Sequence, residues 1–275
     1  MISKNFYKLC LLLGLLISSL FACSVPSITI NSGTPVASTT TLTTPTTPAL
    51  NTWNTASPGI ELRNEDWKSQ GNNQDIVTIV RLDPRRVHLK VGYQPDKPAF
   101  ISDWMRQEDA KAIINGGYFN QNNSASALVV SNGQAYGTSY NGFGGMLSVD
   151  TRGNVRLRSL SQEPYNPNNE QLQQATQSSP MLVVNGKRTQ FNANAASQRR
   201  SIIAEDTHGR LLLIVSPGQA FTLDELADVL VASDLSIKTA LNLDGGASTG
   251  LYVNAGSQHV AVDALATLPI VIIVA

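Results

Sequence analysis

The sequence predicts an α+β fold: a β-rich domain of mixed sheet with a few packed helices. Three observations carry this. Charged residues make up only 15% of the chain and glycine recurs along it, which suits strands and turns better than a helical bundle. Short apolar runs bounded by turn residues repeat from Ile76 to Val274. Only two stretches place apolar residues at helical spacing.

The chain opens with a segment of different character. Lys4 and Lys8 precede an apolar run from Leu9 to Ala22. That run is shorter than the roughly 20 residues a spanning helix needs, so residues 1–23 read as an export signal. Its end, Leu20-Phe21-Ala22-Cys23, resembles a bacterial lipobox, with Phe21 an unusual occupant. Cys23 would then be the lipidated first residue of the mature chain. The expected location is the outer face of the cell membrane or the envelope, with the lipid as the only membrane contact. Residues 24–58 follow as a Thr/Pro-rich linker that cannot bury enough apolar surface to offset its ordering entropy. Residues 59–275 form the predicted domain.

Within that domain, Ile76–Leu82 and Val87–Val91 read as strands, with Asp83-Pro84 turning between them. A first helix begins near Ser102, placed to cap it. Ala112-Ile113-Ile114 is a short buried strand. Gly145–Val149 and Val155–Arg158 flank Arg152-Gly153-Asn154 as a hairpin, and Met181–Val184 runs into the turn pair Asn185-Gly186. Ser201–Ala204 and Leu211–Val215 form another hairpin around Asp206–Gly209. Thr222-Leu223-Asp224-Glu225 has capping-box spacing, and Leu223, Leu226, Ala227, Leu230 and Val231 fall on one helical face. Ala240–Leu243 and Pro269–Val274 complete the strands.

One plan occurs twice: helix, short apolar strand, glycine-rich polar loop. The first copy ends in Asn115-Gly116-Gly117-Tyr118-Phe119-Asn120 and the second in Asp244-Gly245-Gly246-Ala247-Ser248. Ligands commonly bind beyond the carboxyl ends of strands. The glycines allow positive φ and close backbone approach, and bare amides there can bind anionic oxygen. Taken alone, each loop is equally a turn in which Asp or Asn bonds its own backbone. Gln198-Arg199-Arg200-Ser201 precedes a strand, where an arginine can grip phosphate through paired N–H groups or can simply be solvated.

Several chemistries are set aside. Lys+Arg and Asp+Glu balance at 20 each, so no global field favours nucleic acid. The only cysteines, Cys10 and Cys23, leave the domain without a disulfide, a thiol nucleophile or a thiolate metal site. His88, His208 and His259 have no metal-ligand spacing, and the H-E-x-x-H, P-loop and G-x-S-x-G patterns are missing. Asp244 and the asparagines are oxygen ligands suited to a divalent cation, but no loop has a cation-binding spacing, so no cofactor and no metal are expected.

Six segments in order carry a resemblance. They are Asn115–Phe119, Ser179–Val183 with Asn185-Gly186, Arg200-Ser201, Leu211–Val215, Thr222–Ala227, and Leu241–Gly246 with Ser248. Over roughly residues 75–275 the chain resembles the phosphodiester glycosidase domain. It departs from that pattern at Ser179, where Gly usually precedes the proline, at Ile202, where Ala is usual, and at Ala247.

The resemblance implies an exported hydrolase that cleaves the bond between a sugar's anomeric carbon and a phosphodiester oxygen in envelope or extracellular glycans. The leaving group is the anion of a strong acid and needs little protonation. Catalysis would rest on a carboxylate at the oxocarbenium-like centre or on water, and on a cation holding the departing phosphate. Asp244 and Arg200 are the expected catalytic pair. Asn115, Gly116, Gly117, Tyr118, Asn120, Asn242, Gly245, Gly246 and Ser248 are the expected substrate-binding set. Two other functions fit the same loops: a non-catalytic lipoprotein that binds envelope polysaccharide, and a purely structural lipoprotein.

Overall fold

The computed structural model describes residues 49–191 and 196–275. The export leader, Cys23 and the linker up to residue 48 lie outside the described residues.

Three sheets form the domain. The largest has eight strands, in the order Asn54–Ser57, Ile60–Lys68, Gln74–Leu82, Leu211–Phe221, Gln198–Asp206, Ile237–Asn242, Met181–Val184 and Lys187–Arg188. A second runs Gln258–Val262, Leu251–Ala255, Ala112–Asn115, Ile270–Val274 and Leu89–Tyr93. The third contains Gln134–Tyr136, Val129–Ser131, Leu172–Ser178, Gly145–Asp150 and Val155–Ser159. Residues 54–57, assigned by composition to the linker, are instead the edge strand of the first sheet, paired with Ile60–Leu62.

The expected mixed sheet is not what forms. Every named strand pairing is antiparallel. The two helix-linked strand pairs explain the difference. Leu211–Phe221 and Ile237–Asn242 are joined by the helix Leu223–Ala232 and run the same way, but Gln198–Asp206 lies between them. Leu89–Tyr93 and Ala112–Asn115 are joined by the helix Ile101–Gln107, and Ile270–Val274 lies between them. In both units an antiparallel strand from elsewhere in the chain satisfies the backbone groups that parallel neighbours would have shared.

Strand alternation sorts the side chains into layers. Leu211, Leu213, Val215, Ile203, Val80 and Leu82 face the second sheet, meeting Ile114, Leu251, Val253, Ile272 and Val274 in the main core. Leu212, Ile214, Ile202, Ala204, Val77 and Ile79 face the other way, onto the helix Leu223–Ala232. With both faces buried, Leu211–Val215 reads as a continuous apolar run. The third sheet contributes Leu147, Val149 and Leu157 to the main core.

The capping box forms as its spacing predicts. Thr222 Oγ1 accepts the Glu225 amide at 3.2 Å, and Glu225 Oε2 accepts the Thr222 amide at 3.0 Å. Leu223, Leu226, Ala227 and Leu230 are buried as expected, whereas Val231 is exposed. The first helix starts two residues earlier than a Ser102 cap implies. Its N-cap is Phe100, no side chain caps it, and Ser102 lies inside its first turn. Tertiary contacts fix it instead: Ala99 bridges to Leu268, and Trp104 Nε1 donates to the Leu268 carbonyl at 2.8 Å.

Candidate active site

The two polar loops meet at the junction of the first and second sheets, and the last residue of each preceding strand makes the junction. Asn115 and Asn242 are both about 1% exposed. Asn115 Nδ2 donates to the Asp244 carbonyl at 2.6 Å, and its Oδ1 accepts from Ser201 Oγ at 2.7 Å and the Gly250 amide at 3.2 Å. In the other direction, Asn242 Nδ2 donates to the Tyr118 hydroxyl at 2.8 Å and the Ser179 carbonyl at 2.9 Å. Backbone bonds reinforce the contact: Asp244 N to Gly116 O at 3.1 Å, Leu243 N to Ser201 O at 2.9 Å, and Asn242 N to Pro180 O at 3.1 Å. Segments around residues 115, 179, 200 and 244 are therefore one structure.

Three polar side chains are grouped over this junction. Asp244 is partly buried, and desolvation raises its pKa; the Ser248 hydroxyl and the Gly245 amide, 2.9 Å from Oδ1, act in the opposite direction. Arg200 is buried, with Nε donating to the Phe221 carbonyl at 3.2 Å and Nη2 to the Ala196 carbonyl at 2.8 Å. Its Nη1 lies 3.8 Å from where a Cβ on Gly245 would stand. Burial lowers the Arg200 pKa and the neighbouring Tyr118 raises it, but guanidinium remains the charged form.

Tyr118 lies in the field of both. Its phenol is pushed up to about 12, first by burial and then by the Asp244 charge, against the Asn242 hydrogen bond and the Arg200 charge. It is therefore neutral at physiological pH, a hydroxyl that accepts from Asn242 and retains a proton to donate. A partly buried carboxylate and a buried guanidinium thus both act on one phenol. That set can stabilise a departing anion and an electron-poor carbon together.

Several expected substrate contacts have other roles. Asn115 faces the interior, where its amide ties the two loops. Asn242 does the same with its Nδ2, while its buried Oδ1 has no hydrogen-bond partner among the described residues. The Gly116 and Gly117 amides are engaged within the fold, by Ile270 O at 2.9 Å and Thr176 Oγ1 at 3.4 Å. These glycines are required by packing: a Cβ on Gly117 would lie 2.1 Å from Gln177 O, and one on Gly116 2.4 Å from Ile270 Cγ2. The Gly245 amide is bound to Asp244 itself. Gly246 takes φ +60° and opens a short 3₁₀ turn that ends at Ser248, which is buried against Asp244. Asn120 is exposed, and its amide pairs with Ser124 and Ser126 in its own loop. Phe119 packs beside Val91, Val129 and Ile270.

Sequence reasoning missed Tyr140 and the Ser179 backbone. Tyr140 is half-buried, hydrogen-bonded to Ser179, and near enough to raise the Tyr118 pKa. Its only sequence signal is an aromatic residue in the glycine-rich stretch Gly137–Gly145. Arg199 points away from Arg200. Its Nε donates to Pro217 O at 3.0 Å and its Nη2 to Asp263 O at 2.8 Å, which fixes the loop that follows Val262. Among the described residues, no group of three or more His, Cys, Asp or Glu side chains could hold a metal ion.

The phosphodiester glycosidase family profile matches residues 108–274, a span that contains every segment of this junction. The chain belongs to the phosphodiester glycosidase family. Its fold is similar to that of the zebrafish N-acetylglucosamine-1-phosphodiester α-N-acetylglucosaminidase catalytic domain auto-inhibited by its pro-peptide, with TM-score 0.63 and 18% identity over 80% of this chain and 85% of that one. It is also similar to a hypothetical protein from Synechocystis, with TM-score 0.61 and 18% identity over 83% of this chain and 64% of that one. No curated protein sequence matches the chain.

Proposed function

We propose that this family member hydrolyses the glycosidic bond of a sugar-1-phosphodiester in envelope or extracellular glycans, as an exported lipoprotein anchored through Cys23. The observation that supports the catalytic part is that the loops carrying Tyr118 and Asp244 are joined through Asn115 and Asn242, with the Arg200 guanidinium against Gly245 and both charges felt by the Tyr118 phenol. In this scheme the C1–O bond breaks and its electron pair leaves with the phosphate. Arg200 and the Tyr118 hydroxyl stabilise that anion. Asp244 faces the electron-poor anomeric carbon and takes the proton of the incoming water, whose oxygen forms the new bond to C1. The products are the free sugar and a phosphate monoester.

The lipoprotein part rests on the basic start, the short apolar run and the Leu20–Cys23 motif. Incubation with synthetic N-acetylglucosamine-1-phosphodiesters, and with teichoic-acid and capsule fragments, tests the chemistry. Release of reducing sugar with matching phosphate monoester is expected. Saturable binding without product would replace the hydrolase with a polysaccharide-binding role. Mass spectrometry of the mature N-terminus tests the anchor; an unmodified Cys23 would remove it.

A further inference from the structure

Arg199 is 9% exposed, yet its hydrogen bonds go to main-chain carbonyls: Nε to Pro217 O at 3.0 Å and Nη2 to Asp263 O at 2.8 Å. Its Nη1 is buried and has no hydrogen-bond partner among the described residues. Two carbonyls restore only part of the hydration that a guanidinium gives up, so packing alone does not account for this burial. What the fork does hold is the start of the segment that follows Val262.

That segment reaches the Asp244 loop in two residues. The Leu265 amide donates to the Ala247 carbonyl at 2.7 Å. Ala264 packs on Gly250, where a Cβ would lie 3.0 Å from Ala264 N and 3.1 Å from Ala264 Cβ. Ser248 lies between these two held points, and its hydroxyl bonds the Asp244 carboxylate. The Leu265 side chain is 71% exposed, so its contribution here is the main-chain bond and not apolar packing. On its outer side the Asp263 carboxylate accepts from the Tyr252 hydroxyl. The Arg199 carbonyl adds a direct contact, 2.9 Å from where a Cβ on Gly245 would stand.

We propose that Arg199 is a positioning residue for the turn that carries Asp244: by fixing the Asp263 carbonyl it seats Leu265 on Ala247, and so keeps the Ser248 hydroxyl on the carboxylate. Its bearing on turnover rests on the hydrolase reading above; the brace itself does not.

The test reads Asp244 directly, by carboxyl NMR titration of the full chain with labelled aspartate, assigned through Asp244→Asn. Arg199→Lys keeps the charge but not the fork that spans Pro217 and Asp263. Leu265→Pro removes the donor to Ala247 and touches no charge. The other ionisable groups of the junction, Arg200 and Tyr118, are retained in both. With Ser248 released, the Asp244 pKa should rise by about one unit in each variant, and the two together should shift it no further. On a cleavable N-acetylglucosamine-1-phosphodiester, kcat should fall about tenfold with KM little changed, and the acid limb should move up with the carboxylate. Arg158→Lys, a buried arginine in the third sheet, controls for general destabilisation and should leave Asp244 unshifted. An unmoved or lowered Asp244 pKa in folded Arg199→Lys overturns the brace, as does an equal rise in Arg158→Lys. If no diester is cleaved but the titration shifts as stated, the brace stands and the hydrolase reading falls. If diesters are cleaved and Arg199→Lys keeps the wild-type titration and acid limb, the reverse holds.

Discussion

The side-chain amide of Asn115 meets the main-chain carbonyl of Asp244 at 2.6 Å, joining residues 129 positions apart. The same side chain receives Ser201 and Gly250. Asn115→Ala would leave these groups buried without partners. A loss of about 3 kcal/mol in unfolding free energy is expected, together with loss of turnover as Asp244 loses its support. Urea denaturation and kcat/KM measure the two effects. A variant of wild-type stability would show that the clasp is not structural.

Asp244→Asn separates activity from stability. Turnover should fall by roughly a thousandfold if Asp244 is the base. Burial raises the folded pKa of Asp244 above its unfolded value. As pH rises from the ordinary aspartate range, the unfolded chain gives up this proton first, so this group's contribution to stability is lost up to the folded pKa. The Asn variant lacks that loss. At neutral pH its Tm should equal or exceed that of the wild type, and a lower Tm would contradict the desolvation argument.

The pH profile of kcat/KM follows from the same shifts. Its acid limb should lie above the ordinary aspartate pKa of about 3.9, because the active carboxylate forms late. Tyr118, with its pKa pushed up to about 12, should produce no alkaline limb near pH 10, where an unperturbed phenol titrates at about that value. A limb there that disappears in Tyr118→Phe would show that the phenol is less buried than its surroundings indicate.

Arg200→Ala removes more than charge, because the guanidinium also holds the Phe221 and Ala196 carbonyls. That variant should lose turnover and also about 1–3 kcal/mol of stability. Arg200→Lys retains the charge but cannot reproduce the planar fork, so its activity should remain low. Thermal melts beside single-turnover assays distinguish these effects. Full activity in Arg200→Lys would reduce the residue's role to a point charge.

Gly117→Ala probes a contact that looked like a ligand approach. The added Cβ would lie 2.1 Å from the Gln177 carbonyl oxygen, a backbone atom that cannot swing aside as a side chain can. The variant should fail to reach the native fold, as read by near-ultraviolet circular dichroism. Recovery of a native spectrum would mean the loop can yield.

Local features were the most legible. The Thr222–Glu225 capping box, the hairpin at residues 152–154 and the Asn185-Gly186 turn each depend on neighbours within a few residues, and each formed where its chemistry indicated. The strand from Ile270 to Val274 was also readable, but not its place between two strands nearly 160 or more residues earlier. Pairing across such distances leaves no local mark. The mixed sheet is expected from composition and from short apolar runs among two helices, and neither of these reveals which way a neighbouring strand runs. In the site, Asp244, Arg200 and Tyr118 could be named from motifs. The inward roles of Asn115 and Gly117 could not, because a buried amide and a ligand-binding amide look alike in one dimension.

The place of Ile270–Val274 has a consequence for the order of folding. Leu89–Tyr93 and Ala112–Asn115 both take their shared neighbour from this segment, and the Gly116 amide closes on Ile270 O. Until Ile270–Val274 is in place, both strands have an open edge, and the loop that carries Tyr118 lacks the Ile270 carbonyl that holds Gly116. The second sheet is therefore completed only by contacts between residues far apart in sequence, a high-contact-order step that cannot precede the docking of Ile270–Val274.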